Sequence, residues 1–229
     1  MGTQSPNSSG FSSAQRSRRQ VLGAAALGVA LFQTGCLGLA SNLMHGLGVD
    51  REPAEYKDLK NNIVAVITVS DSSKYTKDTA ANELSRMLGE GLVKKVKGMK
   101  LVRQDKIDRW RDINGWDALE FTEMGASLGA KKVLQVQLTN MKLRDGVTLY
   151  RGRADVSVEV IDVATDTVEF TRQLDEFTYP KVAGQPTSET TEDRFRRVYL
   201  SMLANEIARS FHPYDLTDRF AIDSAIASQ

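Results

Sequence analysis

Cysteine is nearly absent: of 229 residues only Cys36 carries a thiol, so no disulfide can close within the chain. Histidine is almost as scarce. His45 and His212 stand alone, with no cysteine or carboxylate cluster at metal-ligand spacing beside either, which argues against a zinc or di-metal centre. Long hydrophobic runs are missing too. The most apolar stretch, Val21 to Phe32, has twelve residues and as a helix would reach only ~18 Å against roughly 30 Å of bilayer hydrocarbon. Nor is there an excess of one charge: 30 basic and 29 acidic residues leave a formal +1, too little to drive binding to a phosphate backbone.

What is present begins with that short apolar run. Arg16, Arg18 and Arg19 precede it and small residues follow it, the pattern of an export signal. "SRRQVL" (Ser17 to Leu22) resembles the twin-arginine export motif, with Arg18 and Arg19 as the recognised pair. "QTGC" (Gln33 to Cys36) resembles a bacterial lipobox. That resemblance implies acylation of Cys36, palmitate included, and a mature chain that starts there. Two or more acyl chains, at about 0.8 kcal/mol per buried CH₂, give stable anchoring without a spanning helix. The rival is an uncleaved anchor, since Val21 to Ala40 makes a twenty-residue segment. Losing residues 1–35 removes three arginines and no acid, which leaves 27 basic and 29 acidic residues and a formal charge of −2. Leu37, rather than Asp, follows the cysteine and resembles an outer-membrane sorting position.

Residues 36–60 have no sustained period and read as a tether, residues 61–212 as one domain, and residues 213–229 as a weakly amphipathic tail. Within the domain, "NNIVAVITVS" (Asn61 to Ser70) is a β-branched run that reads as a strand buried on both faces. Apolar residues at helical spacing predict a helix from about Thr76 to Val96, weakened by Gly89 and Gly91, and a short strand at Lys100 to Arg103 follows. This βαβ unit leads to a short helix at 105–112 with Asp105 as its N-cap, then to a helix from about Asp117 to Leu128. Three strands follow. In the second, Ala154, Val156, Val158 and Val160 alternate with Arg153, Asp155, Ser157 and Glu159, and turns at Asp145 to Val147 and Ala164 to Thr167 make an antiparallel meander that ends near Phe177. A last helix opens with Thr190 and Asp193 at capping-box spacing and carries a wide aromatic stripe that would cover the sheet. The expected fold is α+β: a single mixed sheet with helices packed mainly on one face.

The blocks "IVAVITVS", "KLVRQDKIDRW", "EMGASLGAKKVLQVQL" and "VSVEVIDVATDTVEF" resemble one bacterial envelope superfamily. It holds the curli secretion lipoprotein, the amino-terminal domain of the Tol translocation protein, and the lipoprotein activators of penicillin-binding proteins. Leu128, Gly129, Ala130, Val133 and Leu134 match its third block, and Ile161, Asp162, Val163 and Thr165 its fourth. Thr68 and Val69 depart from its Pro-Phe, and Asp166 from its last glycine. The resemblance implies a cell-envelope protein that acts through protein–protein surfaces, with no shared catalytic residue to carry over.

A non-catalytic accessory or assembly module without a cofactor is therefore the expected function, and a periplasm-facing hydrolase the alternative. His212 reads as a cation-capable cap, no nucleophile elbow accompanies it, and "SDSSK" (Ser70 to Lys74) lacks the glycines that cradle phosphate. Trp110 and Trp116, set around a turn, are a candidate partner surface, the bland reading being that both rings cap helix–sheet packing. The alternating strands offer an edge for strand addition by a partner or by a second copy. Expected partners are the membrane and envelope proteins, not nucleic acid. The anchor has a direct readout in intact mass and membrane partition: a chain that starts at Cys36 with acyl mass is expected, and Cys36→Ala should lose both. Full-length, membrane-bound protein that ignores the substitution would mean an uncleaved anchor.

Overall fold

The structure, a computed structural model, describes residues 1–2, 51–71, 78–115 and 120–215. The chain divides into two units, Met1–Asp50 and Arg51–Gln229. The elements of the second unit are β1 (Arg51–Glu52), β2 (Ile63–Ser70), α1 (Thr79–Lys95), β3 (Lys100–Leu101), α2 (Gln104–Asn114), α3 (Phe121–Ser127), β4 (Lys132–Asp145), β5 (Leu149–Asp162), β6 (Thr167–Tyr179), β7 (Gln185–Pro186), α4 (Glu192–Ala208), a 3₁₀ turn (Arg209–Phe211) and β8 (Tyr214–Asp215).

The architecture is the expected α+β sheet. Its order is β3-β2-β4-β5-β6, with β7 paired to β5. β2 runs parallel to β3 and to β4, from Val64 opposite Lys132 to Ser70 opposite Leu138. β4, β5 and β6 then form the antiparallel meander. Val64, Ala65, Val66 and Ile67 are all buried, as a strand covered on both faces requires. In β5 the alternation holds: Ala154, Val156, Val158 and Val160 point into the core.

The two long helices, α1 and α4, lie on one face with Val66, Leu134, Val136 and Val158. The two short ones cover part of the other face, where Ala65, Ile67 and Val133 meet Ile107 of α2 and Met124 of α3. Asp78 caps α1 by accepting from the amides of Ala80 and Ala81, and Leu84, Leu88 and Leu92 form its buried stripe. Gly89, which looks like a flaw in that helix, sits where a Cβ would meet Leu101 at 2.9 Å, so its absence lets α1 close on β3.

Several boundaries differ from the sequence reading, each for a local reason. α1 begins at Thr79, three residues later than the expected start, with Asp78 as its cap. β3 keeps only two residues, since α2 starts at Gln104. Asp105 lies in the first turn of α2 and pairs with Arg103 instead of capping it. α4 is capped by Thr191, whose hydroxyl accepts from the Arg194 amide at 3.3 Å, one residue beyond the expected Thr190. Residues 51–60, placed in the tether by the sequence, join the folded unit: Ala54, Tyr56 and Leu59 are buried, and β1 pairs with β8 of the expected tail. Short-range period misses them because single buried side chains are separated by exposed ones.

Tyr199 of α4 lies over Gly152 of β5, where a Cβ would lie 2.1 Å from its ring. Gly152→Ala should therefore force that ring out of its place, and a loss of about 2 kcal/mol in urea unfolding is the expected cost of the overpacking.

Candidate functional site

Two ionic clusters and one groove stand out, all on the side of the sheet covered by α4. The first centres on Lys132, which opens β4. Its buried Nζ donates to Asp162 of β5 at 2.8 Å and to Glu169 of β6 at 2.5 Å. Tyr56, from the lead-in segment (residues 51–60), donates its hydroxyl to the same Glu169 carboxylate. Register explains the meeting: Lys132 faces Asp162 across β4 and β5, and Asp162 faces Thr167 across β5 and β6. The second oxygen of Asp162 accepts the amides of Ala164 and Thr165 at 2.9 Å, which builds the β5–β6 turn.

The charges hold one another ionised. Burial alone would push the Lys132 ammonium down, but its bonds to Asp162 and Glu169 outweigh burial and raise it above its usual range. The same bond from Lys132 holds the Asp162 carboxyl well below the ordinary carboxylate range, and Lys132 and Tyr56 lower Glu169. Burial and then Glu169 raise the Tyr56 phenol. Each of these charged groups is directed at a neighbour in the fold, as in a structural node.

The second cluster links β6 to α4. Arg172 donates to Glu206 at 2.9 Å and to the Ser210 hydroxyl at 2.7 Å, and Arg209 also donates to Glu206. Ser210 in turn donates to Glu55 of the lead-in at 3.3 Å. Around it Tyr56 packs on Phe170 at 5.6 Å and Phe170 on Phe211 at 5.4 Å between ring centres. The lead-in thus fills one end of the cleft between β6 and α4.

The other end of that cleft is open. A groove of about 830 Å³ runs beside β6, with Leu174, Phe177, Tyr179 and Met202 among its lining and Asp175, Lys181, Glu206 and Arg209 around it. The hydroxyl of Tyr199 donates to the Phe177 carbonyl at 3.1 Å and so ties strand to helix along the groove. Among the described residues β6 pairs with β5 alone, and no other described strand joins its second edge. Two register shifts interrupt the β5–β6 pairing, at Ala154/Val156 and Val160/Ile161, and Glu176 takes a left-handed φ of 47° at the first. Such bulges add twist to an exposed edge.

Of the residues singled out from sequence, Arg18, Arg19, Cys36, His45 and Trp116 lie outside the described residues. Trp110 is half-buried and packs against the second core, while Ile113, one turn on, is 77% exposed. His212 differs from the cation-capable cap it resembles. It is buried, its Nδ1 bonds the Pro213 carbonyl at 2.9 Å, and burial, with Lys95 and Arg209 nearby, pushes its imidazole down. Ser70 donates to Asp78, which is the α1 cap. Neither ionic cluster was legible in the sequence. "KKVL" looks like a solvated pair before a strand, and only the register across β4, β5 and β6 turns Lys132 inward. Among the described residues no group of His, Cys, Asp and Glu could hold a metal ion, and no helix is long and apolar enough to cross a membrane.

No protein-family model matches the chain, and no curated protein matches its sequence. Among solved structures it is similar to the PelC dodecamer protein of Paraburkholderia phytofirmans, at 13% identity and a TM-score of 0.43, over 71% of this chain and 95% of that one. It is similar to the lipoprotein GNA1162 of Neisseria meningitidis at 10% identity and a TM-score of 0.42, over 65% and 98%. The LpoB C-terminal domain of Salmonella enterica matches at 14% identity and a TM-score of 0.35, over 50% and 82%. Bacterial lipoproteins are thus among the structures it resembles, at a distance where their activities stay with them.

The Lys132 node has a pH signature. A carboxyl whose folded value is depressed adds stability that is present above its unfolded value, near 4, and is lost as pH falls through the folded value. Stability from Asp162 and Glu169 should therefore be full above about pH 5 and drain away at more acid pH. Lys132→Met should cost about 2 kcal/mol at neutral pH and flatten that acid-side decline, read as urea midpoints from pH 7 to 3.

Proposed function

We propose that this is an exported, lipid-anchored protein of the bacterial envelope that works as a non-catalytic binding or assembly module. In this reading Arg18 and Arg19 are read by the export machinery, Cys36 is acylated, and residues 36–50 tether a domain that begins at Arg51. The partner surface is the outer edge of β6 with its groove; Trp110 and Trp116 are a second candidate contact, and exposed Ile113 lies one turn from Trp110 on α2. The resemblance to an outer-membrane sorting position at Leu37 favours the outer membrane.

The observation that carries the reading is the outer edge of β6, which no other described strand joins, beside a largely apolar groove. An extended peptide gains main-chain hydrogen bonds at such an edge and specificity from side chains set into the groove beside it. The charged groups near the groove support the same view, because Arg172, Glu206 and Arg209 satisfy one another and hold the cleft together. A photo-crosslinking side chain placed at Leu174, in living cells, should form a covalent adduct with a second envelope protein. The same group at exposed Val147, on the β4–β5 turn, should form none. No adduct from Leu174, or the same adducts from both positions, would contradict the assignment.

A further inference from the structure

The near-even charge of the chain hides an uneven distribution. Arginines of the folded unit are spent on carboxylates, with Arg144 on Glu192, Arg153 on Asp145, and Arg172 and Arg209 on Glu206. Lysines at one end of the sheet are not. Lys57, Lys60, Lys97, Lys100 and Lys131 are all exposed, and among the described residues no carboxylate pairs with any of them. Carboxylates at the same end are committed: Asp162 and Glu169 to Lys132, and Glu55 to Ser210. Across residues 57–63, 97–100 and 131, Asp58 is the one acid against five lysines.

The topology gathers these lysines from three stretches of chain. β2, β3 and β4 run parallel and begin at the same end. Ile63 of β2 faces Lys100 of β3, and the Lys131 amide donates to the Ile63 carbonyl at 2.7 Å, so two lysines flank a partly exposed isoleucine. Two turns meet beside them. The Asn61 amide donates to the Lys97 carbonyl at 3.2 Å, and the Lys60 amide to the Lys57 carbonyl at 3.2 Å. The result is a cationic end with an apolar residue set in it, built on turns and strand starts rather than around a cavity.

We propose that this end of the folded unit is a docking surface for a bilayer rich in anionic headgroups, with the five lysines against lipid phosphates and Ile63 at the headgroup boundary. Lysine is a compact point charge on a flexible stem, which suits headgroups that move in a fluid plane. Arginine's fixed fork suits defined pairs, and that is where this fold uses it. Each lysine near an anionic surface adds to the attraction, and an apolar side chain among them adds burial at the interface. The surface acts through the folded residues themselves, so it goes beyond the acyl anchor proposed above and stands without it. In an anchored chain it would set which end of the domain meets the membrane.

The test is the rate at which each lysine of the full wild-type chain is acetylated by an amine-reactive ester, read by peptide mass spectrometry. Vesicles of phosphatidylcholine with roughly one-third phosphatidylglycerol should slow all five lysines about threefold or more relative to pure phosphatidylcholine. Exposed Lys142 and Lys181 should keep their rates. Lys142 is a control because it lies ten residues along β4 from Lys132, about 33 Å from this end. Raising salt from 0.1 M to 1 M shortens the screening length from about 10 Å to about 3 Å and should abolish the slowing. Equal rates on both kinds of vesicle, or the same slowing at Lys142 and Lys181, would overturn the proposal. So would equal slowing by soluble glycerol phosphate, which would make the site one for a small anion. Slowing by heparin with none from the vesicles would make the partner an acidic polymer and overturn it too. None of these rates reads the β6 edge, so the crosslink from Leu174 stands or falls separately.

Discussion

The ammonium of Lys132 lies where four stretches of chain meet, and the cleft side of the domain is organised around it. It opens β4, faces Asp162 across β5 and reaches Glu169 on β6, while Tyr56 of the lead-in closes the cluster from outside the sheet. A buried cation this close to two carboxylates is stable only while both remain ionised and bonded. Removing either carboxylate takes one of its two ion-pair partners from the buried Lys132 ammonium. The lead-in is thereby fixed to the sheet, and the domain begins at Arg51 rather than ten residues later.

From that attachment the cleft follows. Tyr56 and Glu55 fill the end of the β6–α4 interface nearest the node, and the Arg172–Glu206–Arg209 cluster seals the boundary. Beyond it, strand and helix are held apart at a set spacing by Tyr199, which lies over Gly152 and bonds the Phe177 carbonyl. The result is a strand whose outer edge meets no other described strand, beside a groove walled by β6 and α4.

Much of the frame is legible in the sequence where one physical rule dominates. Alternation in β5 identifies the core face because every second residue is buried. β2 is recognisable as β-branched and apolar on both faces, and glycine and aspartate turns punctuate the meander. What escapes is everything that depends on register between distant segments. Lys132 reads as one of two surface lysines until Asp162 and Glu169 are set beside it. Tyr56 and Leu59 belong to no periodic run, so their burial appears only once β1 is paired with β8. His212 looks like a cation at a helix end, but burial, with Lys95 and Arg209 close by, pushes its imidazole down. The groove is invisible for the same reason, since β6 and α4 contribute to it from either side of a long loop.

The most direct measurement is hydrogen exchange over residues 51–60 in the wild-type chain and in Lys132→Met. If the Lys132 node holds the lead-in on the sheet, amides there, Tyr56 among them, should exchange on the order of tenfold faster in the variant, with the β4–β5 pairing unchanged. Protection of 51–60 that stays at the wild-type level would show that the lead-in is held by its apolar contacts alone. The node would then be an ornament of the fold rather than its fastening.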